Sequence, residues 1–163
     1  MNKSQNAGFT LVEILVGMTI AVIILGSIVG VLMSSLKAYD VNMSIGSTLA
    51  PARIAVSQIS DHLRYADNAV TPLTLGSGGT DITFSDGTNS YHIYMDGTTK
   101  SFKIKKNDAD YLTLAQGMAQ GLTFTQDTVN KKKMTVQVKV KDNSYQMKHE
   151  ETISFDVIMP NIK

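Results

Sequence analysis

The sequence predicts an α+β protein: a long N-terminal helix, with a membrane half and an amphipathic half, packed on an antiparallel β-sheet. Three observations predict it. Ile14 to Leu36 runs without a charge and is mostly apolar, and about 20 such residues suffice to cross a bilayer as a helix. From Ile45 onward, apolar residues recur at steps of four and three, the period of one helical face. From Ile82 onward, short alternating runs are separated by turn residues, as in half-buried strands.

The composition narrows the classes. Setting the membrane segment aside leaves about 120 residues, one ordinary domain. Hydrophobic residues make up 43% of the chain, and Ile14–Leu36 holds much of that share, so the remainder reads as a polar domain. A net charge of +1 points to no particular partner. The absence of cysteine excludes a disulfide framework and thiolate chemistry.

Glu13 sits at the head of the apolar run. A carboxylate near the centre of a bilayer costs on the order of 3 kcal/mol, less near an interface, so an ionisable residue there needs a partner. An ordinary secretory signal has a shorter apolar core and a small-residue cleavage site; here the run is too long, and Met33-Ser34-Ser35-Leu36 is a poor site. A plain signal anchor explains the length. It explains neither Glu13 nor the hexapeptide Gly8-Phe9-Thr10-Leu11-Val12-Glu13.

That hexapeptide closely resembles the processing motif of type IV prepilins and the related pseudopilins. The resemblance implies a leader, residues 1–8, cut between Gly8 and Phe9 by a prepilin peptidase on the cytoplasmic side. It implies N-methylation of Phe9 and an assembly role for Glu13. The new α-amine would have a pKa near 8 and be mostly protonated at neutral pH. A carboxylate four residues on can meet that cation, in its own chain or in a neighbour. In low dielectric an unpaired partner is expensive, so the pair would select docking register. Residues 9–36 then form the membrane anchor and later the filament core. Gly26 and Gly30 form a G-x-x-x-G pair, which permits close helix approach. No proline precedes Pro51, and these glycines soften the helix instead, by about 1 kcal/mol each relative to alanine.

Residues 37–70 are expected to continue the spine as an amphipathic helix. Lys37 and Tyr39 suit the membrane interface. Ile45, Leu49, Ala52, Val56, Ile59, Leu63, Ala66 and Val70 form the apolar stripe, with Thr71-Pro72 ending the helix. Pro51 lies within it, so a kink near Gly46–Pro51, or a break with the helix restarting at Pro51, is expected. The stretch Ile59–Ala66 resembles the corresponding helix of J-type minor pseudopilins and W-type minor pilins, which implies a minor rather than a major subunit.

Residues 71–163 are expected to form the sheet domain. Gly76-Ser77-Gly78-Gly79 reads as a flexible loop. Strands are expected at Ile82–Ser85, Ser90–Met95, Ser101–Lys105, Tyr111–Ala115, Gly121–Thr125, Lys133–Val140 and Glu151–Met159, separated by turns such as Asp86-Gly87, Asp96-Gly97, Asn107-Asp108 and Asp142-Asn143. Met134, Val136, Val138 and Val140 form one face of a strand, and Ile153, Phe155, Val157 and Met159 repeat the pattern. One apolar and one wet face suit an antiparallel sheet covered on one side.

The motifs carry no catalytic constellation. His62, His92 and His149 lack ligand spacing, and the aspartates match no calcium loop. No cofactor, metal or enzymatic activity is expected. Lysines outnumber acids between Lys100 and Lys148. If strands gathered Lys103, Lys105, Lys106, Lys131, Lys132 and Lys133, a cationic face able to hold phosphate would result, with tyrosines to stack bases. The bland reading is that such lysines protect strand edges.

The expected function is a non-catalytic minor pilin or pseudopilin of a type IV pilus, type II secretion or competence filament. The alternative is a membrane-anchored module that captures DNA or a surface. The resemblance implies a bacterial inner-membrane location, single-pass, before assembly outside the cytoplasm. It implies as partners other pilins or pseudopilins, the prepilin peptidase, an inner-membrane assembly platform and membrane lipid.

Overall fold

Thr10 is the last residue before the long helix α1 (Leu11–Arg64). The computed structural model describes residues 9–67, 71–142 and 149–162. Two units divide between Asp40 and Val41. In the first, α1 carries large apolar side chains exposed all around, from Leu11 to Leu36, as a lipid-facing helix does. Two of its hydroxyls bond back to the helix: Thr19 Oγ1 donates to the Leu15 carbonyl and Ser27 Oγ to that of Ile23, each at 2.9 Å.

In the second unit the helix buries Ser44, Thr48, Ala52, Ala55, Ile59 and Leu63. The lower part of this stripe is the expected one, and Ala52, Ile59, Leu63 and Ala66 join a single core with residues of the strands. The upper part differs. Ile45 and Leu49 are only half-buried, and Ser44 and Thr48 take the inward positions. The reason is polar: Asp142, 1% exposed, accepts a hydrogen bond from Ser47 Oγ, and the amide of His149 donates to Ser44 Oγ at 3.2 Å. Thr48 Oγ1 is satisfied by the Ser44 carbonyl at 2.7 Å.

The expected break at Pro51 is absent, for α1 is continuous through it. Packing of Thr48, Ala52 and Ala55 on either side holds the backbone helical despite the lost hydrogen bond. The helix also ends at Arg64, earlier than expected. Asp67 leaves it to form a bridge with Ser85: its amide donates to the Ser85 carbonyl at 2.6 Å, and Ser85 Oγ donates to the Asp67 carbonyl at 2.7 Å. Val70 lies outside the described residues.

The strands are β1 (Thr74–Leu75), β2 (Asp81–Ser85), β3 (Ser90–Asp96), β4 (Ser101–Lys106), β5 (Ala109–Leu114), β6 (Ala119–Gln126), β7 (Lys133–Lys141) and β8 (Glu150–Ile158). They form two antiparallel sheets rather than one, β1–β5 and β6–β8, each in sequence order. The separation begins after β5, where Ala115 (φ 48°) and Gly117 (φ 77°) turn the chain. The amides of Gly117 and Ala119 then donate to the carbonyls of Thr99 and Lys100, at 3.2 and 2.9 Å. The chain is thereby pinned to the β3–β4 turn, and β6 pairs with β7. Met134, Val136, Val138 and Val140 are all fully buried along β7. The expected loop at Gly76–Gly79 contains a 3-10 turn, Ser77–Gly79, and β1 is a short strand that the sequence pattern does not announce.

Candidate functional site

The candidate site lies at the start of α1. Gly8 is outside the described residues. Phe9 is 84% exposed and precedes the helix. The backbone amide and hydroxyl of Thr10 both donate to Glu13 Oε2, at 2.8 and 2.9 Å, and the Glu13 amide donates to Thr10 Oγ1 at 3.3 Å. Thr10 and Glu13 therefore form a reciprocal capping box, which satisfies amides that a helix start leaves without partners. The carboxylate also lies where the helix dipole favours negative charge. Sequence reasoning missed this role of Thr10, although T-x-x-E before an apolar run is its signature.

The arrangement places one carboxylate within the first helical turn of an otherwise uncharged apolar segment. Such a group can hold its own helix start, or accept from an ammonium group brought against it.

The lysines are distributed differently. Lys103, Lys105 and Lys106 lie on β4, in the five-stranded sheet. Lys131 and Lys132 precede β7, and Lys133 begins it, in the three-stranded sheet. Lys103 Nζ is 3.0 Å from Asp96, Lys133 is 2.9 Å from Asp156, and Lys139 and Lys141 both reach Glu150, at 2.6 and 3.4 Å. Lys103 holds the Asp96 carboxyl well below the usual carboxylate range, helped by Thr99 and Thr98. Lys105 lies over the Tyr94 ring, and Lys106 lies over those of Tyr91 and Tyr111. The ζ-amine of Lys132 donates to the Pro160 carbonyl at 3.3 Å.

Each histidine has a local partner. His62 Nδ1 donates to the Gln58 carbonyl at 2.8 Å, His92 Nε2 is 3.0 Å from Asp81, and His149 Nε2 is 3.1 Å from Glu151. Among the described residues no group of three His, Cys, Asp or Glu is arranged to hold a metal ion.

Comparison with known families matches residues 3–36 to the prokaryotic N-terminal methylation motif. Comparison with curated proteins and with solved structures finds no match. The matched segment starts at Lys3, takes in the Gly8–Glu13 hexapeptide with the capping box and the apolar run, and ends at Leu36. With a long apolar helix and antiparallel sheets behind it, this chain carries a type IV pilin signal on a pilin-like α+β architecture, and it fits a single-pass inner-membrane precursor that is later assembled into a pilus.

Proposed function

We propose that the protein is a minor pilin or pseudopilin, a non-catalytic subunit that assembles after its leader is removed between Gly8 and Phe9. The observation that carries this reading is the methylation motif on residues 3–36, with Glu13 in the first turn of an exposed apolar helix. Cleavage exposes an amine on Phe9, adjacent in sequence to the capping residue. The Glu13 carboxylate then exchanges its capping partners for the methylated amine of a neighbouring subunit. That pair, withdrawn from water, is held in one register because either charge alone is costly. The resemblance of Ile59–Ala66 to minor subunits supports a minor role. Other pilins or pseudopilins, the prepilin peptidase and the inner-membrane platform are the partners this reading requires.

Expression of the precursor with its native assembly system tests the reading. Gly8→Leu retains the leader, seen as a slower band on a gel and as an intact N-terminus by mass spectrometry. Glu13→Ala leaves processing and membrane level unchanged and removes most of the protein from sheared filaments. Normal processing of Gly8→Leu, or unchanged filament content of Glu13→Ala, would refute it.

A further inference from the structure

We propose that the free edge of β8 pairs with β8 of a second copy of this chain, antiparallel and about a two-fold axis at Ser154. The association does not depend on the assembly reading. β8 ends the sheet order β6-β7-β8, and among the described residues no strand lies on its other side. Hydrogen bonds at both ends of the β7–β8 ladder fix which groups face outward. The Met159 amide donates to the Lys132 carbonyl at 2.7 Å, and the Asp142 amide donates to the His149 carbonyl at 3.1 Å. Between them the register runs without a shift, from Lys133 opposite Ile158 to Lys141 opposite Glu150. Bonded and unbonded pairs alternate along such a ladder. Glu151, Ile153, Phe155 and Val157 therefore bond to β7, and Glu150, Thr152, Ser154, Asp156 and Ile158 turn their N–H and C=O groups away from it. All five are exposed, and among the described residues no main-chain hydrogen bond reaches them.

The flank of the sheet is open as well. Ile153 and Phe155 are only half-buried, whereas Val138 and Val136, opposite them on β7, are fully buried. A further strand would take that apolar surface out of water. Edge strands are commonly guarded by lysine, proline or a bulge, and β8 has none of these. Two of its carboxylates are held by lysines of β7: Glu150 by Lys139 and Lys141, and Asp156 by Lys133.

The occupant follows from the sequence of β8, which complements itself. Centred on Ser154, Ile153 lies opposite Phe155 of the second copy, Glu151 opposite Val157, Thr152 opposite Asp156 and Glu150 opposite Ile158. No two like charges meet, apolar meets apolar, and a hydroxyl meets a carboxylate, as Thr135 Oγ1 already does with Asp156 at 2.7 Å. All five outward-facing residues find partners. Sliding one strand by two residues sets Glu150 against Asp156, or sets it against Pro160, which has no N–H to give.

The natural chain has no cysteine, so the test introduces one at a time into the full-length protein in micelles and follows disulfide formation under a copper oxidant. Paired across the axis, residue 154 and its copy have Cα atoms about 5.5 Å apart, within disulfide reach. Residue 152 and its copy are offset by four positions, roughly 13 Å, and cannot be bridged. Ser154→Cys should therefore dimerise about tenfold faster than Thr152→Cys, which is equally exposed and reports chance collision. Adding Thr152→Pro to Ser154→Cys removes an outward N–H that β7 does not use, and should slow the cross-link to the collision rate. In the unmodified protein, amide exchange at Thr152, Ser154 and Asp156 should slow as its concentration rises, with Ile153 and Phe155 as the internal reference. Equal cross-linking at the two positions would overturn the proposal. So would exchange at the three amides that is independent of concentration: fast throughout for a bare edge, or slow throughout for an edge covered by another segment of the same chain.

Discussion

Thr10 and Glu13 satisfy one another across the first turn of α1: amide and hydroxyl donate to the carboxylate, and the Glu13 amide donates back to the hydroxyl. The carboxylate to which the proposed function gives an assembly role is thus already employed as a helix cap. Thr10→Val removes the hydroxyl half of the box, and Thr10→Ser preserves it. Amide exchange at Leu11–Ile14 in micelles should quicken about two- to tenfold in the valine variant and stay near wild type in the serine variant. Equal protection in all three proteins would show that the box does not hold the helix start.

Gly79 and Gly78 form a paired comparison. Both have φ of +71°, yet a Cβ on Gly79 runs into the Phe124 carbonyl, whereas Gly78 faces open space. Gly79→Ala should therefore lower stability by roughly 1–3 kcal/mol through backbone displacement. Gly78→Ala should lose less, only the preference against a left-handed residue. Urea denaturation followed by circular dichroism orders the two variants.

Asp86 supplies a pH dependence with a defined sign. Burial pushes its carboxyl up, but the amides of Asn89 and Thr88, at 2.7 and 2.9 Å, and the Tyr91 hydroxyl, at 3.0 Å, outweigh it and set the pKa at about 2 against an ordinary 3.8. The folded value is depressed, so the stabilisation is complete above 3.8 and is lost as pH falls toward about 2. The same contact and burial push the Tyr91 hydroxyl up to about 12. Wild type should lose thermal stability more steeply than Asp86→Ala between about pH 4 and 2. The two melting curves should converge at the acid end.

The strands are readable because Met134, Val136, Val138 and Val140 alternate with polar residues, and burial follows that alternation. The inward turn of the Ser44–Thr48 stretch is not readable, because the His149 amide that donates to Ser44 and the Asp142 carboxyl that accepts from Ser47 lie about a hundred residues away in sequence. The lysines show the same effect with charge. A count between Lys100 and Lys148 omits Asp96, Glu150 and Asp156, which folding places against Lys103, Lys139 and Lys133. At the candidate site, Gly8, Phe9 and Glu13 are recognisable as a linear motif. Thr10 escapes an apolar-pattern reading because its role is a hydrogen bond to the residue that draws attention.

The hydroxyl seam at Ser44, Ser47 and Thr48 also indexes the helix. A slide of one turn in one direction would bring Ala50 and Pro51, neither of which carries a hydroxyl, into the place of Ser47 beside the buried Asp142 side chain. That slide takes the Ser47 hydroxyl away from a buried side chain, so this register is opposed by chemistry as well as by shape. Apolar seams alone tolerate such slippage, since one aliphatic contact substitutes for another. This helix therefore carries a register mark on its sheets, and a slide in that direction gives up the Ser47–Asp142 hydrogen bond as well as the apolar contacts below it.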